Sequence, residues 1–524
     1  MSSPLAPSRR TLVAGAGGAA LAGAGGAVVH AAAPAAAARS TYAPATYAAT
    51  PVLPAAQRHL VSRFSYGLTP ALAAQVRRSG GAAAWFEKQL RPSAVADGMP
   101  SGFGSWWPSL SRGPKELWDR QAQEVEGGWV VMQNYQRWVL MRRTFTQRQV
   151  AEVMTEFWEN HFNVPVNGDL AFTHRAAYGS VVRARALGRF EDLLLAVTTH
   201  PAMLIYLDGA RSTKARPNEN LARELLELHT VGRGTYGEDD VKASARILTG
   251  WWVDLFGSWE AGYRTEAHAT GPVRVMDFAD DNASPDGRDL TRRYLSHLAH
   301  HPATAARICR KLALKFVSDE PSEALVASLA RVYLANDTAI VPVLRALVAS
   351  AEFRGSAGRK VRDPGEDVVA TYRALGLKVG PPTQGDAAVN AMLWQVANLG
   401  TTPLAWPRPD GAPLTGDAWS SPSRVLASFE AHWVLAGGWW PKVGVTYRRP
   451  PAWVPRFPIT FRLLVDHLSR TVLQRPSTAA LLEACCLATG IAPGERITRD
   501  HHLVRWNMHR LLATLLDSPA HLTR

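Results

Sequence analysis

Cysteine is scarce: the chain has three, with Cys485 and Cys486 adjacent and Cys309 remote. That excludes a disulfide framework and any zinc-ligand spacing. Core thiols are the simplest reading, and one bridge from Cys309 to Cys485 or Cys486 is allowed. Lysine is scarce too, nine of the 58 basic residues, and no dense basic run occurs despite a formal charge of +14. Arginines spaced singly, such as Arg183, Arg185 and Arg189, read as solvated helix faces and argue against nucleic acid. A diffuse positive surface suits anionic lipid or a wall polymer instead. No uninterrupted apolar run of about 18 residues follows the amino-terminal leader, so no transmembrane segment is expected after its removal. Several catalytic signatures are missing as well. There is no Gly-x-Ser-x-Gly elbow, no phosphate-binding Gly-Lys-Ser/Thr loop, no Gly-x-Gly-x-x-Gly between strand and helix and no His-Glu-x-x-His.

What is present is a core-forming composition, 47% hydrophobic and 19% charged over 524 residues, which excludes a disordered chain. The amino terminus reads Ser8-Arg9-Arg10-Thr11-Leu12-Val13-Ala14, followed by an Ala/Gly-rich apolar stretch to Val29 and small residues from Ala31 to Ala38. This is the pattern of a twin-arginine signal peptide over residues 1–38, cleaved near Ala38. The expected location is therefore extracellular, periplasmic or at the cell surface. The Leu12–Val29 stretch is too weakly apolar to stay as an anchor, and no cysteine follows it for lipid attachment.

Residues 39–55 read as an Ala/Pro/Thr linker, and helical patterns begin near Gln57. Long helical stretches follow at about 115–163, 171–186, 218–231, 238–249, 290–298, 302–316, 364–375, 422–436 and 502–515. Thr69 before Pro70, and twice His-Pro-Ala (200–202 and 301–303), mark helix starts. Residues 98–114 and 400–420 are Pro/Gly/Trp-rich loops. The expected fold is mostly all-α, with at most a minor β-hairpin near 262–276. It forms one large helical domain over 56–524, and the Gly380-Pro381-Pro382-Thr383 connector allows two lobes, 56–376 and 384–524.

Two helices carry the groups most able to do chemistry. In Met154–Phe162, a step of 100° per residue puts Met154, Phe157, Trp158 and His161 on one side and Glu156, Glu159 and Asn160 on the other. His161 should be half-buried among aromatics, as a hydrogen-bonded core residue or as a base. In the stretch from Pro217 to Gly232, Asn218 is the expected N-cap and Glu219 faces the positive end of the helix dipole. Asn220, Glu224 and Glu227 share one polar stripe there. Two carboxylates one turn apart could bind a metal or divide into acid and base. They could equally be paired with arginines. Neither helix has the Glu-x-x-His of a di-iron bundle. The neighbouring pairs His300-His301 and His501-His502 can each present only one ligand to a common point. No metal site and no particular cofactor is assigned. The 18 tryptophans, with doublets at 106–107, 251–252 and 439–440, serve as packing or as flat surfaces for sugars.

Several ordered motifs resemble one family. They include Phe157-Trp158-Glu159-Asn160-His161-Phe162, the Asn218-Glu219-Asn220-x-Ala222-Arg223-Glu224-Leu225-x-Glu227-Leu228 run, Leu248-Thr249-Gly250-Trp251, Lys360-Val361-Arg362-Asp363-Pro364 and Trp406-Pro407-Arg408-Pro409-Asp410-Gly411. From about Arg63 to Leu515 the chain resembles the bacterial family of domains of unknown function numbered eighteen hundred. The resemblance implies an exported, helix-rich protein, and its motif positions here are Asn160, His161, Asn218, Glu219, Asn220, Glu224 and Glu227. Many family members are encoded beside an exported family related to sulfatases or alkaline phosphatases, which implies a partner in surface-polymer work. Two departures stand out. Position 159 is Glu where His is frequent, and the segment after Thr-Gly-Trp is reduced to His268-Ala269-Thr270-Gly271-Pro272. The expected function is a cell-envelope binding or assembly factor, acting with another exported protein or an anionic surface polymer. The alternative is a hydrolase or metal-assisted enzyme on a glycan or wall polymer. Glu224, Glu227 and His161 would then be catalytic, and Asn160, Asn218, Glu219 and Asn220 would bind.

Overall fold

Helices begin where the sequence supplies caps. Thr69 accepts the Leu72 N–H and Asn218 that of Leu221. In both His-Pro-Ala starts the histidine Nδ1 accepts the N–H two residues on, at 3.2 Å for His200 and 3.1 Å for His301, while proline fills the first helical position. The computed structural model describes residues 42–168 and 170–524. The expected twin-arginine signal peptide and its expected cleavage near Ala38 lie outside the described residues. The protein is 57% helical, with only small two-stranded antiparallel sheets, so it is mostly all-α.

Differences from the sequence reading have local causes. The stretch 115–163 is three helices, Pro114–Ala122, Gly128–Phe145 and Gln149–His161. Gly127 and Thr146 interrupt it in extended conformations, and the Thr146 hydroxyl leaves the helix to donate to Asp97 at 2.6 Å. The α-helix Glu219–Glu224 passes into a π-helical turn, Leu225–His229. Two hairpins, rather than one, occupy the irregular region: Trp251–Val253 with Ala261–Tyr263, and Val273–Val275 with Phe278–Asp280. All three cysteines are free and buried.

The part of the expected linker that is described does not hang free. The Tyr47 N–H donates to Asp466 at 2.7 Å, Thr50 Oγ1 lies 2.7 Å from His467 Nδ1, and Leu53 is buried before the helix Ala55–Arg63 begins. A buried carboxylate needs donors, and Asp466 takes one from this segment. Residues 42–524 form one compact unit, with a hydrophobic cluster that runs from Leu53 to Leu516. Among the described residues no helix is long and apolar enough to cross a membrane.

Candidate functional site

The helix Gln149–His161 is buried on nearly every side, so each of its polar groups must find a partner. Val150, Val153, Met154, Phe157 and Trp158 supply the apolar contacts. Glu152 is paired with Arg142 at 3.0 Å and Arg183 at 2.9 Å. Burial alone would raise its pKa, but the two guanidiniums outweigh that and lower it to about 2. Glu159 accepts from Arg175 at 3.0 Å and from the Tyr135 hydroxyl at 2.8 Å. Glu159 therefore lies in an internal ion pair. His268, of the reduced segment, is likewise fully engaged, at 2.8 Å from Asn282 Oδ1 and 3.1 Å from the Thr249 carbonyl.

Glu156 faces a pocket. Its carboxylate accepts from the Tyr66 hydroxyl at 2.5 Å and from Lys315 at 2.9 Å, with Arg143 at 3.5 Å. Lys315, on the helix Pro302–Phe316, also donates to Glu366 at 2.8 Å, and Glu366 pairs with Arg524 at 2.7 Å. Asp363 caps the helix Pro364–Leu375: it accepts the Glu366 N–H at 2.8 Å while Glu366 accepts that of Asp363 at 3.3 Å. Burial first, then the charges of Glu366 and Glu156, hold the Asp363 carboxyl well above the usual carboxylate range. Together with the loop at 401–414 these groups line a narrow pocket of about 90 Å³.

The loop is clamped from below by the same helix end. Asn160 donates to the Ala412 carbonyl at 2.9 Å and accepts the Ala412 N–H at 2.7 Å. Asn163 donates to the carbonyls of Trp406 and Arg408, each at 2.8 Å. Gly411 has φ +79°, and a Cβ there would fall 2.1 Å from the Asn160 carbonyl oxygen. Only glycine fits this crossing.

The pocket's charges are largely satisfied by one another. Glu156, Asp363 and Glu366 bring carboxylate oxygens within 4.8 Å, a spacing that could hold a metal ion. The Lys315 ammonium already bridges two of them, so a divalent ion would have to displace it. Arg143 Nε and Arg524 Nε and Nη1 are left over. All three are buried without a hydrogen-bond partner in residues that line the pocket. Such donors fit an oxyanion of a ligand.

Of the seven motif residues, Asn160 lines this pocket and the others do not. His161 is fully buried rather than half-buried, because Phe162, Trp158 and Phe190 surround it. Its Nε2–H donates to the His229 carbonyl at 3.1 Å, and its Nδ1 lies 3.0 Å from Lys311 Nζ. Burial, reinforced by the Lys311 charge, keeps the ring neutral. Lys311 is lowered to about 7, by burial first and then by Arg307. The two motif helices thus meet through the His229 backbone, not through carboxylates. Glu227 is engaged by Arg233 and, at 3.0 Å, by the Tyr236 hydroxyl. Glu224 has no hydrogen-bond partner among the described residues, and burial followed by the Glu227 charge raises its pKa. Asn218 caps its helix, Asn220 donates to Asp208 at 3.3 Å, and Glu219 stands 3.7 Å from Arg223.

Arg143, Lys315, Glu366 and Arg524 escaped the sequence reading, and Asp363 entered it only within the Lys360–Pro364 motif, with no role. A faint signal existed in Lys311 and Lys315, an i, i+4 lysine pair on the helix Pro302–Phe316, and in Glu156 four residues before Asn160. A second polar knot serves the packing. Asp367 holds Arg424 at 3.0 Å and His432 at 3.1 Å, and His432 reaches Asp517 at 2.8 Å.

A helical protein with a charged, half-enclosed pocket beneath a clamped Pro/Gly/Trp loop is the class that fold and site define. A family model described as "Protein of unknown function (DUF1800)" matches residues 59–523, and the chain belongs to that family. No match was found among curated proteins or among solved structures.

Proposed function

We propose that the protein is an exported binding factor of the cell envelope whose pocket beneath the 401–414 loop takes a ligand bearing a carboxylate, phosphate or sulfate group. The supporting observation is the set of buried, unpartnered guanidinium N–H donors of Arg143 and Arg524, two residues that line a pocket in which Glu156 and Glu366 are already paired. An unmade buried donor costs about 1–3 kcal/mol, which an oxyanion would recover on binding. Export is supported by Arg9-Arg10 and the small residues before Ala38. In cells, Arg9→Lys with Arg10→Lys should retain the precursor inside.

Ligand binding stabilises the folded state in proportion to saturation. Thermal denaturation of the full chain across a panel of small carboxylates, phosphates and sulfates should give a saturable rise in Tm for at least one member. Arg143→Lys, which keeps the charge but loses Nε, should weaken that response roughly tenfold. No rise with any member, or the same response in Arg143→Lys, removes the reading.

One observation favours the hydrolase alternative: the Asp363 carboxyl, held well above its usual range, sits in the same pocket. In that reading Asp363 transfers a proton to or from the substrate. Asp363→Asn retains an N-cap, so it should abolish turnover of wall glycans while leaving the ligand-induced rise in Tm. If wild type shows no turnover on such polymers, the alternative falls.

A further inference from the structure

The carboxy-terminal helices carry a second surface, independent of the pocket. The helix Pro422–Gly437 stops at Gly438, in the left-handed region, and delivers Trp439 and Trp440 to the surface. Trp433, Trp439 and His509 pack as one aromatic group, with ring centroids 4.6–5.5 Å apart. Trp433, Trp439 and Trp440 are 37%, 44% and 39% exposed. Trp506 is 75% exposed and lies in the π-helical turn Leu503–Asn507, ahead of the helix Met508–Leu516. A π-turn inserts one extra residue, which turns the side chains of that segment away from the regular helix face, and such turns are frequent at functional sites.

Of these rings, Trp439, Trp506 and His509 border a groove of about 370 Å³. Arg448, Arg449 and Arg505 line it, and none of its lining residues is acidic. Arg510 lies over the Trp433 ring at 5.8 Å. Arg505 pairs at 2.5 Å with the exposed Asp500, and Arg448 donates to the Ala452 carbonyl. Arg449 has no side-chain partner among the described residues. Solvent-facing tryptophan beside Arg448 and Arg449, neither of which has an acidic partner among the described residues, forms a concave surface with an evident complement.

We infer that this groove binds an acidic polysaccharide, a sugar chain carrying carboxylates of the uronic-acid type. The apolar C–H faces of the sugars would lie on Trp439 and Trp506, and the carboxylates would pair with Arg448, Arg449 and Arg505. A single-stranded nucleic acid offers similar charge and flat rings. The polysaccharide is preferred because of the twin-arginine signature, so the choice between the two rests on the export reading. The concavity, and the burial of the leucines and Met508 that line the groove, disfavour a lipid surface.

Affinity electrophoresis of the full chain through gels containing polygalacturonate, dextran or no polymer tests this. Polygalacturonate should retard the protein, dextran should not, and added salt should weaken the retardation. Trp506→Ala with Arg449→Ala, both exposed positions, should raise the apparent Kd at least about tenfold, the scale of one lost stacking contact, with Tm unchanged. Arg143→Lys should migrate as wild type, which separates this surface from the pocket. Equal retardation by dextran, no effect of the double variant, or tighter binding to single-stranded DNA than to polygalacturonate overturns the inference. So does retention by anionic phosphatidylglycerol vesicles that survives the double variant when polygalacturonate binds no better.

Discussion

Lys315 joins three helices with one atom. Its ammonium sits between Glu156 and Glu366; Lys315 and Glu366 are buried and Glu156 is nearly so. Burying an ion pair gains little over apolar packing, but removing one partner leaves an uncompensated charge. Arg143 and Arg524 still compensate part of the charge, so Lys315→Met should cost at most about 3–5 kcal/mol in urea denaturation at neutral pH. The loss should shrink as the pH falls and Glu156 and Glu366 take up protons, because the stranded charge then disappears. An exposed pair gives the contrast. Arg223 makes two bonds to Glu238, at 2.7 and 2.8 Å, yet both side chains face water. Arg223→Ala should leave the denaturation midpoint unmoved. A loss for Lys315→Met no larger than that for Arg223→Ala would mean that the pocket is wetter than its geometry implies.

At the scale of elements, the end of the helix Gln149–His161 positions the loop over the pocket. Asn160 contributes two bonds to Ala412, and Asn163 two more to the carbonyls of Trp406 and Arg408. Replacing both asparagines by alanine should cost about 4 kcal/mol, at roughly 1 kcal/mol for each of the four bonds. It should also open residues 401–414 to limited proteolysis before the rest of the chain unfolds. If the fragments arise elsewhere first, the loop is held by something other than this clamp. The loop was legible in the sequence from its Pro/Gly/Trp content, and Asn160 was legible as a motif position. The clamp was not, because the partners are 252 residues apart in the chain. Local spacing reports caps and helix faces. It carries no information about which loop crosses a helix end.

For the whole molecule, two buried titrations oppose each other. His432 is raised to about 9: burial works against its charge, but Asp367 and Asp517 outweigh that. Its stabilising effect is complete below its unfolded value of 6.5 and is lost as the pH rises through 9. Lys311 behaves in the opposite sense. Lowered from 10.5 to about 7, it destabilises the fold when protonated, and that penalty fades between its unfolded and folded values as the pH rises. Each slope is at most about 1.4 kcal/mol per pH unit, so in the wild type they nearly offset between about 7 and 9. Lys311→Met should expose the His432 slope, with stability falling steadily over pH 6.5 to 9. His432→Gln in that background should flatten it. A flat profile for Lys311→Met alone would show that His432 is not the charged partner of Asp367.

Much of this protein could be read from its residues alone. The helical class, the family, the caps at Thr69, Asn218 and the two His-Pro-Ala starts, and the loop at 400–420 all depend on residues close in sequence, where propensity, hydrophobic period and side-chain-to-backbone bonds act. The partners of buried charge depend on long-range packing. Nothing near Glu156 in sequence announces Lys315, and nothing near Glu366 announces Arg524. By local rules Glu227 could be an acid, a ligand or a surface charge; Arg233 and Tyr236 engage it. Tertiary packing also decided that Asn160, rather than His161 beside it, faces the pocket. One residue's step around a helix is about 100°, and what stands at each bearing is chosen by the fold as a whole.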